Sequence, residues 1–181
     1  QGRLSNLLQI FEDKPCRETA WNIDLEYQNK GWDLIEGDVQ LVEQSPIKGV
    51  VRVTKKFNLS TIVQDITIYR SISRIDFKTK VDWQETEKML KAAFFVNVLS
   101  NKASYEIQFG AIERPTHWNT SYDKARFEVC GHKWADLSEG GYGVSLLNDC
   151  KYGYDIKDNC MRITLLRAPV DPDPTADRGI H

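Results

Sequence analysis

Hydrophobic and polar residues alternate along much of this chain, most clearly between Ile75 and Trp83. There Ile75, Phe77, Thr79, Val81 and Trp83 fall on one side, and Asp76, Lys78, Lys80 and Asp82 on the other. A period of two sends successive side chains to opposite faces of a strand, so the segment predicts a half-buried strand with a solvated, charged face. The preceding stretch sets Ile62, Gln64, Ile66 and Ile68 against Thr61, Val63, Asp65, Thr67 and Tyr69, and the one before that groups Val51, Val53 and Phe57. Polar joints at Asn58 to Ser60 and Ser71 to Ser73 make these three strands an antiparallel meander.

Further strands are expected at Leu7 to Phe11, Ala20 to Tyr27, Val39 to Glu43, Met89 to Val98, Ala103 to Phe109, Ala125 to Val129, Val144 to Leu147 and Met161 to Leu166. A hairpin is expected to turn near Lys157 to Asn159. Gln84 to Leu90 is the one stretch with the makings of a helical turn. The tail from Ala168, rich in Pro and Asp, reads as a surface loop, because proline removes ladder hydrogen bonds and Asp favours turns. Turn signals every ten residues or so point to an all-β, antiparallel β-sandwich. No internal repeat or linker interrupts the chain, so residues 1–181 are expected to form a single β-sandwich domain.

Composition narrows the function classes. The 181 residues are 41% hydrophobic and 28% charged, which is ordinary globular composition. A net charge of −2, with no run of cations longer than Lys55–Lys56, gives no phosphate-neutralising patch, so no nucleic acid partner is expected. The longest apolar run, Ala92 to Val96, is far short of the roughly twenty residues a spanning helix requires, so no membrane partner is expected. The start at Gln1, without Met or a leader pattern, is expected of a segment cut from a longer protein. The four cysteines, Cys16, Cys130, Cys150 and Cys160, form no Cys-x-x-Cys pair and read as free thiols of a reducing, cytoplasmic compartment.

Catalytic signatures are sparse. His117, His132 and His181 are isolated in sequence, and a metal site would need His117 and His132 to converge with Glu113 or Asp136; loop and core histidines are the expectation, and no metal is assigned. Asp171, Asp173 and Asp177 invite a calcium reading but lack the glycine and terminal glutamate of an EF-hand loop, so a polar turn is expected. No Gly-x-Ser-x-Gly elbow occurs, and Cys130 beside His132 reads as structural. Trp21, Trp32, Trp118 and Trp134 lie in or near loops or strand ends, where rings serve either packing or sugar stacking.

The densest polar cluster runs from Phe109 to Tyr122. Arg114 precedes a proline and is held extended, and Thr116, His117, Asn119 and Thr120 supply donors and acceptors within one loop. Polar loops on a rigid sheet are where recognition concentrates, with an interdomain contact as the equal alternative.

The segment GAIERPTHWNTSYDKARFEVCGHKWADLSEGGYGVSLLNDCKYGYDIKDNCMRITLLRAPVDPDPTADRGIH resembles the C-terminal region of class II α-mannosidases, glycoside hydrolase family 38, in the branch holding bacterial, cytosolic and vacuolar enzymes. The resemblance extends upstream through EDKP, AWNIDLEY, RSISRIDFKTKVDW, MLKAAFFV and YEIQFG, although Thr19 and Asn22 stand where the family tends to carry Asp. It implies a galactose mutarotase-like supersandwich truncated at both ends, with exposed strand edges. It also implies a parent enzyme that hydrolyses terminal α-D-mannosyl residues with retention, in which zinc, an Asp nucleophile and an Asp acid/base belong to an N-terminal barrel. None of those catalytic residues maps onto this chain. Its partners would be its own N-terminal catalytic domain and, through the parent, a mannose-containing oligosaccharide. The substrate-cleft candidates are Arg114, His117 and Asn119. Two other readings are a stand-alone carbohydrate-binding module and a mutarotase-like enzyme; the latter needs a His and an acid converging in one groove.

Overall fold

The computed structural model describes residues 4–172, 174 and 178–181. Its strands, in chain order, are β1 (Leu7–Glu12), β2 (Gly31–Leu34), β3 (Asp38–Gln44), β4 (Lys48–Phe57), β5 (Ser60–Tyr69), β6 (Ile75–Trp83), β7 (Lys88–Phe95), β8 (Lys102–Ile107), β9 (Gly110–Pro115), β10 (Val129–Cys130), β11 (Trp134–Glu139), β12 (Tyr142–Leu147), β13 (Gly153–Lys157), β14 (Cys160–Arg167) and β15 (Gly179–Ile180). Among the described residues the helical elements are a 3-10 turn at Tyr27–Asn29 and one short helix, α1 (Ser121–Lys124). The architecture is therefore all-β with antiparallel ladders, as the alternation predicts.

Two compact units share the chain. One comprises residues 1–12, 23–33 and 89–167; the other comprises residues 13–22, 34–88 and 168–181.

The second unit is built on a five-stranded sheet in the order β15-β6-β5-β4-β3. Its heart is the predicted meander: β4 pairs β5 from Lys48↔Tyr69 to Phe57↔Ser60, and β5 pairs β6 from Thr61↔Asp82 to Ile68↔Ile75. Asn58 makes the first turn at a positive φ of 48°, a conformation its short polar side chain tolerates. Ile62, Val81 and Trp83 are buried on one face, whereas the other carries Arg52, Asp65, Lys78, Lys80 and Asp82. Directly opposite one another, Arg52 and Asp65 form a fork through Nε–Oδ1 at 2.7 Å and Nη2–Oδ2 at 2.8 Å. The Trp83 indole is fully buried, and its Nε1 has no hydrogen-bond partner. At Gly179–Ile180 the tail adds a short strand beside Trp83 and Asp82, where a loop was expected. Asp173 and Asp177, weighed above as calcium ligands, lie outside the described residues, while the Asp171 backbone N–H donates to Thr19 Oγ1 at 3.1 Å.

The first unit holds a six-stranded sheet, β10-β13-β14-β7-β1-β2, and a four-stranded sheet, β12-β11-β8-β9. The two sheets meet where Tyr105 and Tyr154 stand edge to face with ring centroids 5.9 Å apart. Their core is drawn from Leu8, Ile10, Leu90, Ala92, Met161 and Ile163 on one sheet and Ala103, Ala135 and Leu137 on the other.

Two expected strands are not strands. Ala20 to Tyr27 runs through turns into the 3-10 turn, and Ala125 to Val129 follows α1 and reaches a ladder only at Val129. Their apolar residues Ile23, Tyr27 and Phe127 instead pack on Phe11 and Met89. The helix is fixed by a capping box, in which Asp123 N–H donates to Thr120 Oγ1 and the Asp123 carboxylate accepts from Thr120 N–H. At Gln84 to Leu90 the structure has no helical turn; the chain bends and enters β7. β2, β9 and β11 were not expected.

Candidate functional site

β7 is buried along five consecutive residues, Met89 to Ala93, so its position in the sheet leaves no wet face for Lys91. Its side chain has no exposed surface. Such a cation is stable in the interior only with carboxylate partners, and the sheet register supplies one. Asp155 lies opposite Arg162, and Arg162 lies opposite Ala93, two residues from Lys91, so Asp155, Arg162 and Lys91 share one face. Lys91 Nζ is 3.2 Å from Asp155 Oδ2, and Arg162 Nη1 donates to Asp155 Oδ1 at 2.8 Å.

The irregular segments covering this face complete the network. Lys91 Nζ donates to Glu128 Oε1, and the Tyr27 hydroxyl donates to the same oxygen at 2.5 Å while lying 3.1 Å from Asp155 Oδ2. Gln9 accepts from Arg162 Nε at 2.8 Å and donates to Asp33 at 2.7 Å. Burial, followed by the charges of Asp155 and Glu128, pushes the Tyr27 phenol far above its ordinary range, so it remains a neutral donor. Burial likewise raises the Glu128 carboxyl, against the pull of Lys91.

Beside this network lies a small pocket lined by Tyr105, Arg114, Trp118, Arg126, Asp155 and Lys157, among others. Arg114, on β9, stacks its guanidinium 4.7 Å from the centre of the Tyr105 ring, and its buried Nη1 has no hydrogen-bond partner. Lys157 Nζ sits 3.8 Å above the Trp118 ring. The cavity is about 10 Å³, enough for roughly one water, whereas enclosed organic ligands occupy hundreds of Å³. A sugar ring does not fit inside it.

Of the three residues singled out by sequence, Arg114 reaches this pocket. His117 is half-exposed in the following loop; its Nδ1 lies 3.5 Å from the Asn119 backbone N–H and 3.7 Å from Asp123 Oδ2. Asn119 is exposed and contributes that backbone group. Thr116 pins the start of the loop: it is buried, its hydroxyl donates to Ser100 O at 2.7 Å, and its carbonyl accepts from Asp158 N–H at 2.7 Å. His132 packs edge-on to Tyr152 at 5.8 Å. None of the four cysteines is in a disulfide: Cys16, Cys130 and Cys150 are exposed and Cys160 is buried. Among the described residues no group of three or more His, Cys, Asp or Glu side chains is placed to hold a metal ion, and no helix is long and apolar enough to cross a membrane.

Sequence reasoning passed over Lys91, Glu128, Asp155, Tyr27 and Arg162. A signal was present for the first: a lysine inside the apolar run MLKAAFF has no solvated face available.

Antiparallel sheets throughout, with two short helical elements among the described residues, define an all-β class of protein. The chain belongs to the glycosyl hydrolases family 38 C-terminal domain, whose family model matches residues 1–175. It is 44% identical to Alpha-mannosidase G of Dictyostelium discoideum over 99% of this chain and 17% of that protein. It is 40% identical to Alpha-mannosidase 2C1 of Homo sapiens over 100% of this chain and 18% of that protein. The chain thus spans under a fifth of the length of these relatives. Among solved structures, an alpha-mannosidase from Enterococcus faecalis superposes with a TM-score of 0.75 at 13% identity, covering 98% of this chain and 24% of that one. A glycosyl hydrolase family 38 protein from the same organism gives 0.77 at 14% identity, covering 97% and 25%. At that identity the likeness establishes the fold.

Proposed function

We propose that this chain is the non-catalytic C-terminal domain of a retaining α-mannosidase, packed on the parent's catalytic domain and shaping the rim of its substrate cleft. The observation that carries this reading is the family match over residues 1–175, joined to alignments that use nearly all of this chain but 17–18% of relatives named as α-mannosidases. The reaction, cleavage of terminal α-D-mannosyl residues, and the zinc ion that serves it belong to the parent's catalytic domain. Mannose-containing oligosaccharide is its substrate. The cytoplasm is its compartment, a placement supported by four cysteines that form no disulfide.

Arg114, His117 and Asn119 are the side chains that reach the cleft. Supporting this, their loop is held in place before any ligand arrives by the Thr116 hydrogen bonds and the Thr120 capping box. A fixed loop meets a substrate without a further ordering cost. In the parent enzyme, Arg114→Ala should lower kcat/KM on an oligomannoside by at least about tenfold with little change in Tm. Unchanged kinetics would remove the loop from the cleft. This chain alone should not turn over a chromogenic α-mannoside, and turnover would overturn the whole reading.

A further inference from the structure

Three cations, Arg114, Arg126 and Lys157, and two acids, Asp123 and Asp155, line the small pocket. Among the described residues none of the three cations forms an ion pair. The acids nearby are already engaged. Asp155 is held by Lys91 and Arg162, Glu128 by Lys91 and Tyr27, and Asp123 accepts from the Thr120 hydroxyl at 2.8 Å. Arg114 and Lys157 are steadied instead by the faces of Tyr105 and Trp118, which attract a cation but accept no ordinary hydrogen bond. The result is an excess of cations over acids, three to two, around one buried, unmet donor, Arg114 Nη1. A water would satisfy that donor yet leave the excess positive charge in place.

We infer that this pocket binds a small oxyanion, a phosphate or carboxylate group. One oxygen occupies the 10 Å³ space against Arg114 Nη1, and the exposed Arg126 and Lys157 Nζ meet the remaining oxygens at the mouth. Guanidinium groups suit such ligands because their donors match the spacing of oxyanion oxygens. The inference shares Arg114 with the proposed cleft rim but rests on charge rather than on the parent's kinetics. Its test is made on this chain alone, so either reading can fail while the other stands.

Titrating the chain with inorganic phosphate at low ionic strength, followed by the indole N–H resonance of Trp118, should give a saturable shift. Arg114→Gln and Arg126→Gln should each weaken binding by at least about tenfold, as loss of a charge-assisted hydrogen bond implies. Arg126 is exposed and supplies the variant that leaves the fold untouched, while Lys124→Gln, on α1 and outside the pocket, should bind as wild type does. Parallel titrations with acetate, mannose 6-phosphate and mannose identify the source. Tighter binding of mannose 6-phosphate than of phosphate marks a sugar-borne anion, and equal binding marks a free one. Absence of a saturable response to phosphate, an undiminished response in Arg126→Gln, or mannose binding as tightly as its phosphate would each overturn the inference.

Discussion

Lys91 has no exposed surface and stands between Glu128 and Asp155, with Arg162 on the far side of Asp155. Two cations and two carboxylates balance, so removing one is costly because it strands the others. Lys91→Met should destabilise the chain by about 3–5 kcal/mol, read from urea unfolding, since it leaves Glu128 buried without a counter-charge. A smaller loss than a surface ion pair gives would show that the network is not what holds this face together. The Glu128 carboxyl adds a pH dependence. Burial raises it above its ordinary 4.5, so at pH values between the unfolded and the folded one the folded chain keeps a proton that the unfolded chain has released, and the charge balance with Lys91 holds above that range. Its contribution is full below the unfolded value and is lost as pH rises through the raised folded one. The urea midpoint of wild type should therefore fall relative to that of Glu128→Gln as pH is raised from about 4 to about 7. A difference that is flat, or that grows in favour of wild type, would contradict the assigned direction.

At the level of strands and turns, Phe109 is the feature most open to improvement. It sits in the two-residue connection between Ile107 and Gly110 at φ 61°, with its ring fully in solvent. A bulky residue pays for that conformation and here has no packing to lose. Phe109→Gly should raise stability by up to about 1 kcal/mol, visible as a higher Tm. The β4-β5-β6 meander was legible in the sequence because one of its faces is charged, and Ile62 and Val81 on the other are buried as the alternation required. The same reasoning failed at Ala20 to Tyr27 and Ala125 to Val129. Alternation reports which side chains are buried on one side, and Ile23, Tyr27 and Phe127 satisfy it by packing on Phe11 and Met89 from positions that join no ladder themselves. β2, at four residues, is too short to show a period, and the polar composition of β9 merges with that of the loop that follows it. Arg114 was found from its place before Pro115, but the network next to it was not, since Tyr27, Lys91, Glu128 and Asp155 are distant in sequence and only the fold joins them.

Across the whole molecule, the chain passes between its two compact units at residues 12/13, 22/23, 33/34, 88/89 and 167/168. Neither unit is a continuous stretch that a single cut releases. Residues 89–167 hold most of the first unit but lack β1, whose Leu8, Ile10 and Phe11 are buried and which lies between β7 and β2. Losing several buried side chains at 2–5 kcal/mol each, to take a rough range, exceeds what a domain has in reserve. The 89–167 fragment should therefore show collapsed amide dispersion and no cooperative transition, and a well-dispersed spectrum would contradict this. The Trp83 indole, sealed in the five-stranded unit without an acceptor, gives that unit a built-in clock. Its proton trades for deuterium only when the sheet opens, so the fading of one tryptophan signal in heavy water times the breathing of β4, β5 and β6 without any label being introduced.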